Sequence, residues 1–223
     1  MQVLIPTVAS HPAIGLTLES FRVTSPEVDI LLVAGMSPEP DLQDLCLRYS
    51  SEVLWLGENR GFAGNVNAGI EHLGTDQDII LANDDIVMLY PNWERRVQRH
   101  FAGREKVAAV GPCSNVGWPH QLYRESPTEH DCNVLSFFWV ALRAEALQDV
   151  GLLDEQFGIG LCEDVDWCIR AKKKGWTLVV DRSMTVWHWG SQTIRRLTDD
   201  YEGLDKQNRG LLQQKHPDLD LQS

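Results

Sequence analysis

The sequence predicts an α/β protein, a mostly parallel sheet covered by helices on both faces. Three observations carry this. Several short apolar runs are continuous rather than alternating, the pattern of strands buried on both sides. The stretches between them are punctuated as helices, and strand–helix alternation means right-handed βαβ units. The length of 223 residues suits one domain, able to bury roughly 70% of its unfolded surface without staples.

Taken in order, Val3-Leu4-Ile5 reads as the first strand, and Ser10 with Pro12 opens a helix. Ile30 to Val33 is the second strand, followed by helix punctuation at Ser37, Pro38 and Pro40. Val53 to Leu56 is the third, and Gly61 opens the next helix. Ile79-Ile80-Leu81 is the fourth, and Pro91 heads a helix running to about Ala102. Val107 to Val110 is the fifth. Asn115 to Asn133 is polar and aperiodic, a loop long enough to be functional or mobile. Val134 to Leu142 reads as a bulky strand, Ala144 to Val150 as a short helix and Gly151 to Asp154 as a turn. A helix runs from Glu163 to Lys174 and stops at Gly175. Its acidic first turn (Glu163, Asp164, Asp166) and basic last turn (Lys172 to Lys174) match the macrodipole. Thr177 to Val180 and Thr185 to Trp187 are two short strands. The charged tail from Asp199 is expected to be a peripheral helix with a frayed end.

Composition narrows the function. The formal charge of −12 disfavours polyphosphate partners and anionic membranes. Five cysteines without a C-x-x-C pair argue against a disulfide framework or thiolate zinc site and for a reducing compartment. No apolar run approaches the ~20 residues needed to span a bilayer. No signal peptide is visible at the start, so a cytoplasmic protein is expected.

Sites in such sheets lie at the carboxyl ends of the strands, which directs attention to Pro6-Thr7, Ala34 to Ser37, Gly57 to Gly64 and Asn83-Asp84-Asp85. Along an extended chain Asp85 shares a face with Asn83 while Asp84 points elsewhere. An oxygen pair of this kind suits Mg²⁺ or Mn²⁺ bridging to phosphates; a solvated, helix-capping turn has the same spelling. Glu163-Asp164-Val165-Asp166 suits helix capping. It also suits a general base held ionised at a helix N-terminus, with residues 163 and 164 about 100° apart so that only one faces a cleft. His188 ends a strand between Trp187 and Trp189. It is either a packing residue or a third ligand favouring Mn²⁺. Trp118, in the polar loop, suits stacking on a sugar face.

These clusters occur together in an order that resembles the family 2 glycosyltransferases of the GT-A fold, along roughly residues 1 to 197, most closely rhamnosyltransferase-like members. The carriers are Ile5-Pro6-Thr7, the run from Glu58 to Gly69 (ENRGFAGNVNAG), Leu81 to Asp85 (LANDD), Gly151 to Glu155 (GLLDE), Glu163 to Arg170 (EDVDWCIR) and His188. The resemblance implies a single Rossmann-like GT-A domain over 1–197 with a smaller acceptor-side sheet. Residues 1–113 would form the nucleotide-sugar half, 114–197 the acceptor and catalytic half, and 198–223 a peripheral tail. It implies that Pro6, Thr7, Arg60 and Asp84 contact the nucleotide sugar. Asp85 and His188 would hold a divalent cation, Mn²⁺ or Mg²⁺. Asp164 would be the catalytic base, and Glu163 a contact to sugar or acceptor.

The expected activity is therefore inverting, metal-dependent transfer of a hexosyl or rhamnosyl group from a nucleotide-diphosphate sugar to a hydroxyl of a glycan or of a lipid or polysaccharide precursor. Two departures from the family pattern are present. Ala34-Gly35-Met36-Ser37 stands where an Asp reads the base, and Asn83 takes the first D-x-D position. They keep an alternative open, a nucleotide-sugar-binding protein without turnover. A sugar nucleotidyltransferase is set aside, because Pro6 to Ser10 lacks a glycine-rich, basic phosphate loop. The loop from Asn115 to Asn133, with Trp118, is the expected acceptor site.

Overall fold

The computed structural model describes residues 1–8, 13–123, 129–190 and 192–218. In chain order the elements are β1 (Gln2–Thr7), α1 (Ile14–Thr24), β2 (Ile30–Ala34), α2 (Pro40–Arg48), β3 (Glu52–Trp55) and α3 (Gly61–Leu73). Then follow β4 (Ile79–Ala82), β5 (Ile86–Met88), α4 (Trp93–Gly103), β6 (Val107–Ser114), β7 (Glu129–Cys132) and β8 (Trp139–Leu142). The last are α5 (Ala144–Val150), a 3₁₀ turn (Glu155–Phe157), α6 (Glu163–Lys173), β9 (Thr177–His188), α7 (Gln192–Leu197) and α8 (Tyr201–Lys215). Ser10, Pro12, Ser191, part of the polar loop and the end of the tail lie outside the described residues.

Nine strands form one sheet in the order β3-β2-β1-β4-β8-β6-β9-β5, with β7 also on β9. β1 to β4 pair in parallel. β8 runs antiparallel between β4 and β6, and β9 is parallel to β6. Six strands therefore point one way, and the sheet is mostly parallel as expected. The smaller sheet is not detached. It hangs on β9, whose 12 residues pair with β6, β7 and β5 in turn.

Apolar alternation along β1 and β2 fills both faces. Val3, Ile5, Ile30 and Leu32 join α1, α2 and α4 in one core. Leu4, Leu31 and Val33 join α3, α5 and α6 in the other. A Cβ at Gly69 would stand 2.5 Å from Leu4 Cδ1 and 2.7 Å from Val33 Cγ2. Glycine there lets α3 lie directly on the strands.

Three local expectations change. Within Val134 to Leu142 only Trp139–Leu142 is a strand, because residues 136 and 137 give their N–H groups to side chains instead of a ladder. Ser136 N–H donates to Gln121 Oε1 at 2.8 Å, and Phe137 N–H to Asp164 Oδ2 at 3.4 Å. The two strands expected near residue 180 are one, with a register shift opposite Pro112 and Cys113. The tail helix is not peripheral: Asn208 and Leu212 of α8 are buried, and its Tyr201, Asp205 and Arg209 face the cleft described next. No helix among the described residues is long and apolar enough to cross a membrane.

Candidate active site

The carboxyl ends of β1, β4, β6 and β9 meet at one edge of the sheet, over a cleft of about 620 Å³. The sequence-predicted Pro6, Thr7, Asp84, Asp85, Trp118, Glu163, Asp164 and His188 all line it. Arg60 does not. It stands exposed beside Glu58 at 4.0 Å, because the turn before α3 aims it outward.

Asp84 is held from β1 and α1. Thr7 Oγ1 donates to Asp84 Oδ2 at 2.6 Å. Thr17 Oγ1 bonds the carbonyls of Asp84 and Ile86 at 2.9 and 2.7 Å, fixing the turn into β5. With only 5% of Asp84 exposed, burial pushes its carboxyl up to about 7, against the Thr7 hydrogen bond and with the help of neighbouring Asp85.

Asp85 and Asn83 turn to the opposite side, toward His188. The antiparallel register of β5 with β9 sets Ile86 opposite His188. His188 Nε2 then lies 3.1 Å from Asp85 Oδ1 and 3.4 Å from Asn83 Nδ2. Asn115 grips the His188 backbone on both sides, accepting from its N–H and donating to its O, each at 2.8 Å. The Phe138 ring lies against the imidazole with centroids 5.2 Å apart. Asn83 Oδ1 and His188 Nδ1 are buried without a partner. A carboxylate, an imidazole and a spare amide oxygen together fit a divalent cation of the Mn²⁺ type better than all-oxygen Mg²⁺.

Glu163 and Asp164 both reach the cleft, contrary to the expectation that a helix would separate them. α6 presents its N-terminal end, so Cys162 to Val165 are all lining residues. Leu161 and Cys162 approach with φ of 77° and 76°, a left-handed pair that turns the chain sharply into the helix. Asp164 accepts from Val165 N–H at 2.8 Å and, across the cleft, from Phe137 N–H at 3.4 Å. The two carboxyls are not simply held ionised by the helix. Burial raises both, Glu163 further because Asp164 stands beside it and its Oε2 has no partner. Desolvation here outweighs the helix-terminus field.

The asparagine-rich run 58–69 acts as a brace. Asn59 Oδ1 accepts from Gly61 N–H at 2.9 Å and from Asn65 Nδ2 at 3.1 Å. Asn67 bonds the Leu153 backbone in both directions and donates to Glu155 at 2.8 Å. α3 is thereby fastened to the loop before α6. Sequence reasoning missed Thr17, Asn115 and Asn208. Asn115, directly after a strand, was visible by position, whereas Asn208 in a charged helix carried no signal.

His100, Glu129 and Asp181 form a second N/O cluster, outside the cleft lining. Arg96 already satisfies it, bonding both Asp181 oxygens at 3.1 Å, with His100 Nε2 at 2.8 Å. The guanidinium supplies the positive charge, and the cluster fastens α4 to β9.

Residues 2–160 match the sequence profile described as glycosyl transferase family 2. No curated protein matches the chain. Among solved structures, GalNAc-T7 crystallised with UDP, GalNAc and Mn²⁺ superposes with a TM-score of 0.70 at 14% identity, over 84% of this chain and 43% of that one. The mannosyltransferase PcManGT from Pyrobaculum calidifontis, in complex with GDP-Man and Mn²⁺, gives 0.65 at 15%, over 84% and 56%. S. aureus TarS gives 0.66 at 15%, over 97% and 43%. At these identities the likeness shows the fold, and the chain spans about half the length of these proteins.

Proposed function

The chain belongs to glycosyl transferase family 2, and from that membership we propose that it moves a sugar from a nucleotide-diphosphate sugar to an acceptor hydroxyl with inversion. The observation that carries this reading is a single cleft joining the Asp84–Asp85–His188 group to the Glu163–Asp164 group. Residues 1–113 supply the donor side and 114–197 the acceptor side. The tail helix α8 belongs to the working unit as a wall of the cleft.

In this reading Pro6, Thr7 and Asp84 receive the nucleoside. Arg60 stands too far outside the lining to share that contact in this conformation. Asp85 and His188, with Asn83 beside them, would hold Mn²⁺; Mg²⁺ suits the set less well. The cation, which the GalNAc-T7 and PcManGT structures contain, supplies positive charge against the leaving diphosphate. The acceptor oxygen attacks the anomeric carbon from the face opposite the diphosphate. The bond to the diphosphate oxygen breaks with its electron pair, and the acceptor proton passes to Asp164. A carboxyl raised toward neutrality by burial is well matched to that proton. Glu163, raised further by burial and by neighbouring Asp164, is placed to donate a hydrogen bond to sugar or acceptor. A hexosyl or rhamnosyl donor and a glycan or lipid-linked acceptor are the working choice.

The test is Asp164→Asn assayed with Mn²⁺ and a panel of UDP-, GDP- and dTDP-sugars. Turnover should fall roughly 10²–10⁴-fold with donor binding retained. Wild-type activity should decline on acidification, with a limb above the ordinary carboxylate range. Near-wild-type turnover in the variant sinks the assignment of Asp164. Donor binding without turnover in the wild type returns the non-enzymatic reading.

A further inference from the structure

The geometry points to Asn208, on α8, as a positioning residue for the proposed base Asp164, an inference that rests on the transferase reading above. Asn208 lies beyond residues 2–160, the segment matched by the family profile. Only 1% of it is exposed. Its Nδ2 donates to three backbone carbonyls of one short loop: Phe157 O at 2.9 Å, Gly160 O at 2.7 Å and Leu161 O at 3.0 Å. An amide has two hydrogens, so one is shared, and the three carbonyls are drawn around a single nitrogen.

That loop has no regular structure to hold it. Gly158, Gly160, Leu161 and Cys162 all have positive φ, of 65°, 143°, 77° and 76°. Side chains in such conformations persist only where the surroundings enforce them. Glu163 and Asp164 follow directly. The proposed base therefore takes its position from a segment whose carbonyls are collected by α8. α8 is itself anchored beyond that point. Lys215 pairs with Asp154, and His216 Nε2 meets the buried Asp166 at 2.8 Å inside α6. Asp85 directly precedes β5 and His188 ends β9, and this loop holds neither strand. Loss of the Asn208 amide should thus displace the base without disturbing the cation or nucleotide side.

The experiment compares Asn208→Leu, similar in volume but without donors, and Asn208→Ser, with one donor, against wild type. Amide exchange at residues 158–166 should quicken while β4 and β9 keep their protection. With UDP- and GDP-sugar donors and Mn²⁺, kcat should fall about 10²-fold in the leucine variant and less in the serine variant. Donor KM and Mn²⁺–nucleotide affinity should stay within about twofold of wild type, as expected for a loss confined to the transition state. Unchanged exchange and kcat, a parallel loss of nucleotide affinity, or failure of both variants to fold would each overturn the proposal. An inactive wild type would count against the transferase reading alone, since the exchange comparison still tests the grip on the loop.

Discussion

Replacing Gly61 with alanine tests the packing of the whole site, because two effects can be separated. Gly61 has φ of 76°, and a Cβ there would stand 2.0 Å from Gly158 O, 2.7 Å from its carbonyl carbon and 3.2 Å from Ile159 Cα. A carbon–oxygen contact needs about 3.3 Å, so the loop must retreat by more than ~1 Å. It cannot do so freely, since the same loop is collected by Asn208. The left-handed conformation alone costs an L residue about 1–2 kcal/mol. Forcing an overpacked contact adds about 1–3 kcal/mol. Gly57 is the control, with φ of 77° and nothing within 4 Å of its would-be Cβ. Urea unfolding should show Gly57→Ala losing only the conformational part and Gly61→Ala a further ~1–3 kcal/mol. In thermal melts that excess is roughly 2–12 °C for a chain of this size. Equal losses in the two variants would refute the close approach of α3 to the loop before α6.

Three further outcomes are expected. His188→Ala should weaken Mn²⁺ binding in the presence of UDP or GDP by at least about tenfold, read by electron paramagnetic resonance; undiminished binding would remove His188 from the cation site. Trp118→Ala should raise acceptor KM or lower transfer while sparing donor hydrolysis, and equal loss of donor affinity would assign Trp118 to the nucleotide side. Burial pushes Asp181 up, but hydrogen bonds from His100, Arg96 and Ser183 outweigh it and hold the carboxyl well below the usual range. Its stabilisation is thus present above about pH 4 and is lost as pH falls further. Asp181→Asn should cost about 3–5 kcal/mol at pH 7, a gap that narrows on acidification; a gap independent of pH would contradict this.

The strands that carry the fold were legible because both their faces are buried, which leaves no room for polar alternation. β5, three residues long, and β7, made of Glu-His-Asp-Cys, were not. Their pairing comes from β9 and not from their own composition. The acidic clusters and His188 were legible as strand-end and helix-start residues. What the sequence could not show was distance. Nothing in the run ENRGFAGNVNAG separates a phosphate-binding arginine from a brace of asparagines, and the structure turns Arg60 outward while Asn59, Asn65 and Asn67 do the holding. The dipole argument for Glu163 and Asp164 failed for a related reason, since desolvation depends on neighbours that arrive from elsewhere in the chain.

The two halves of the acidic edge differ in when they become available to a chain emerging from the ribosome. Thr7 meets Asp84 across β1 and β4, strands that are both synthesised within the first 82 residues. Asp85 meets His188 only after β9 has been made and has threaded antiparallel to β5. A nascent chain can thus organise the side proposed to receive the nucleoside early and still lack the pair proposed to hold the cation. Uptake of Mn²⁺ would then time-stamp the docking of β9, separating chains that have placed it from collapsed intermediates that look equally compact.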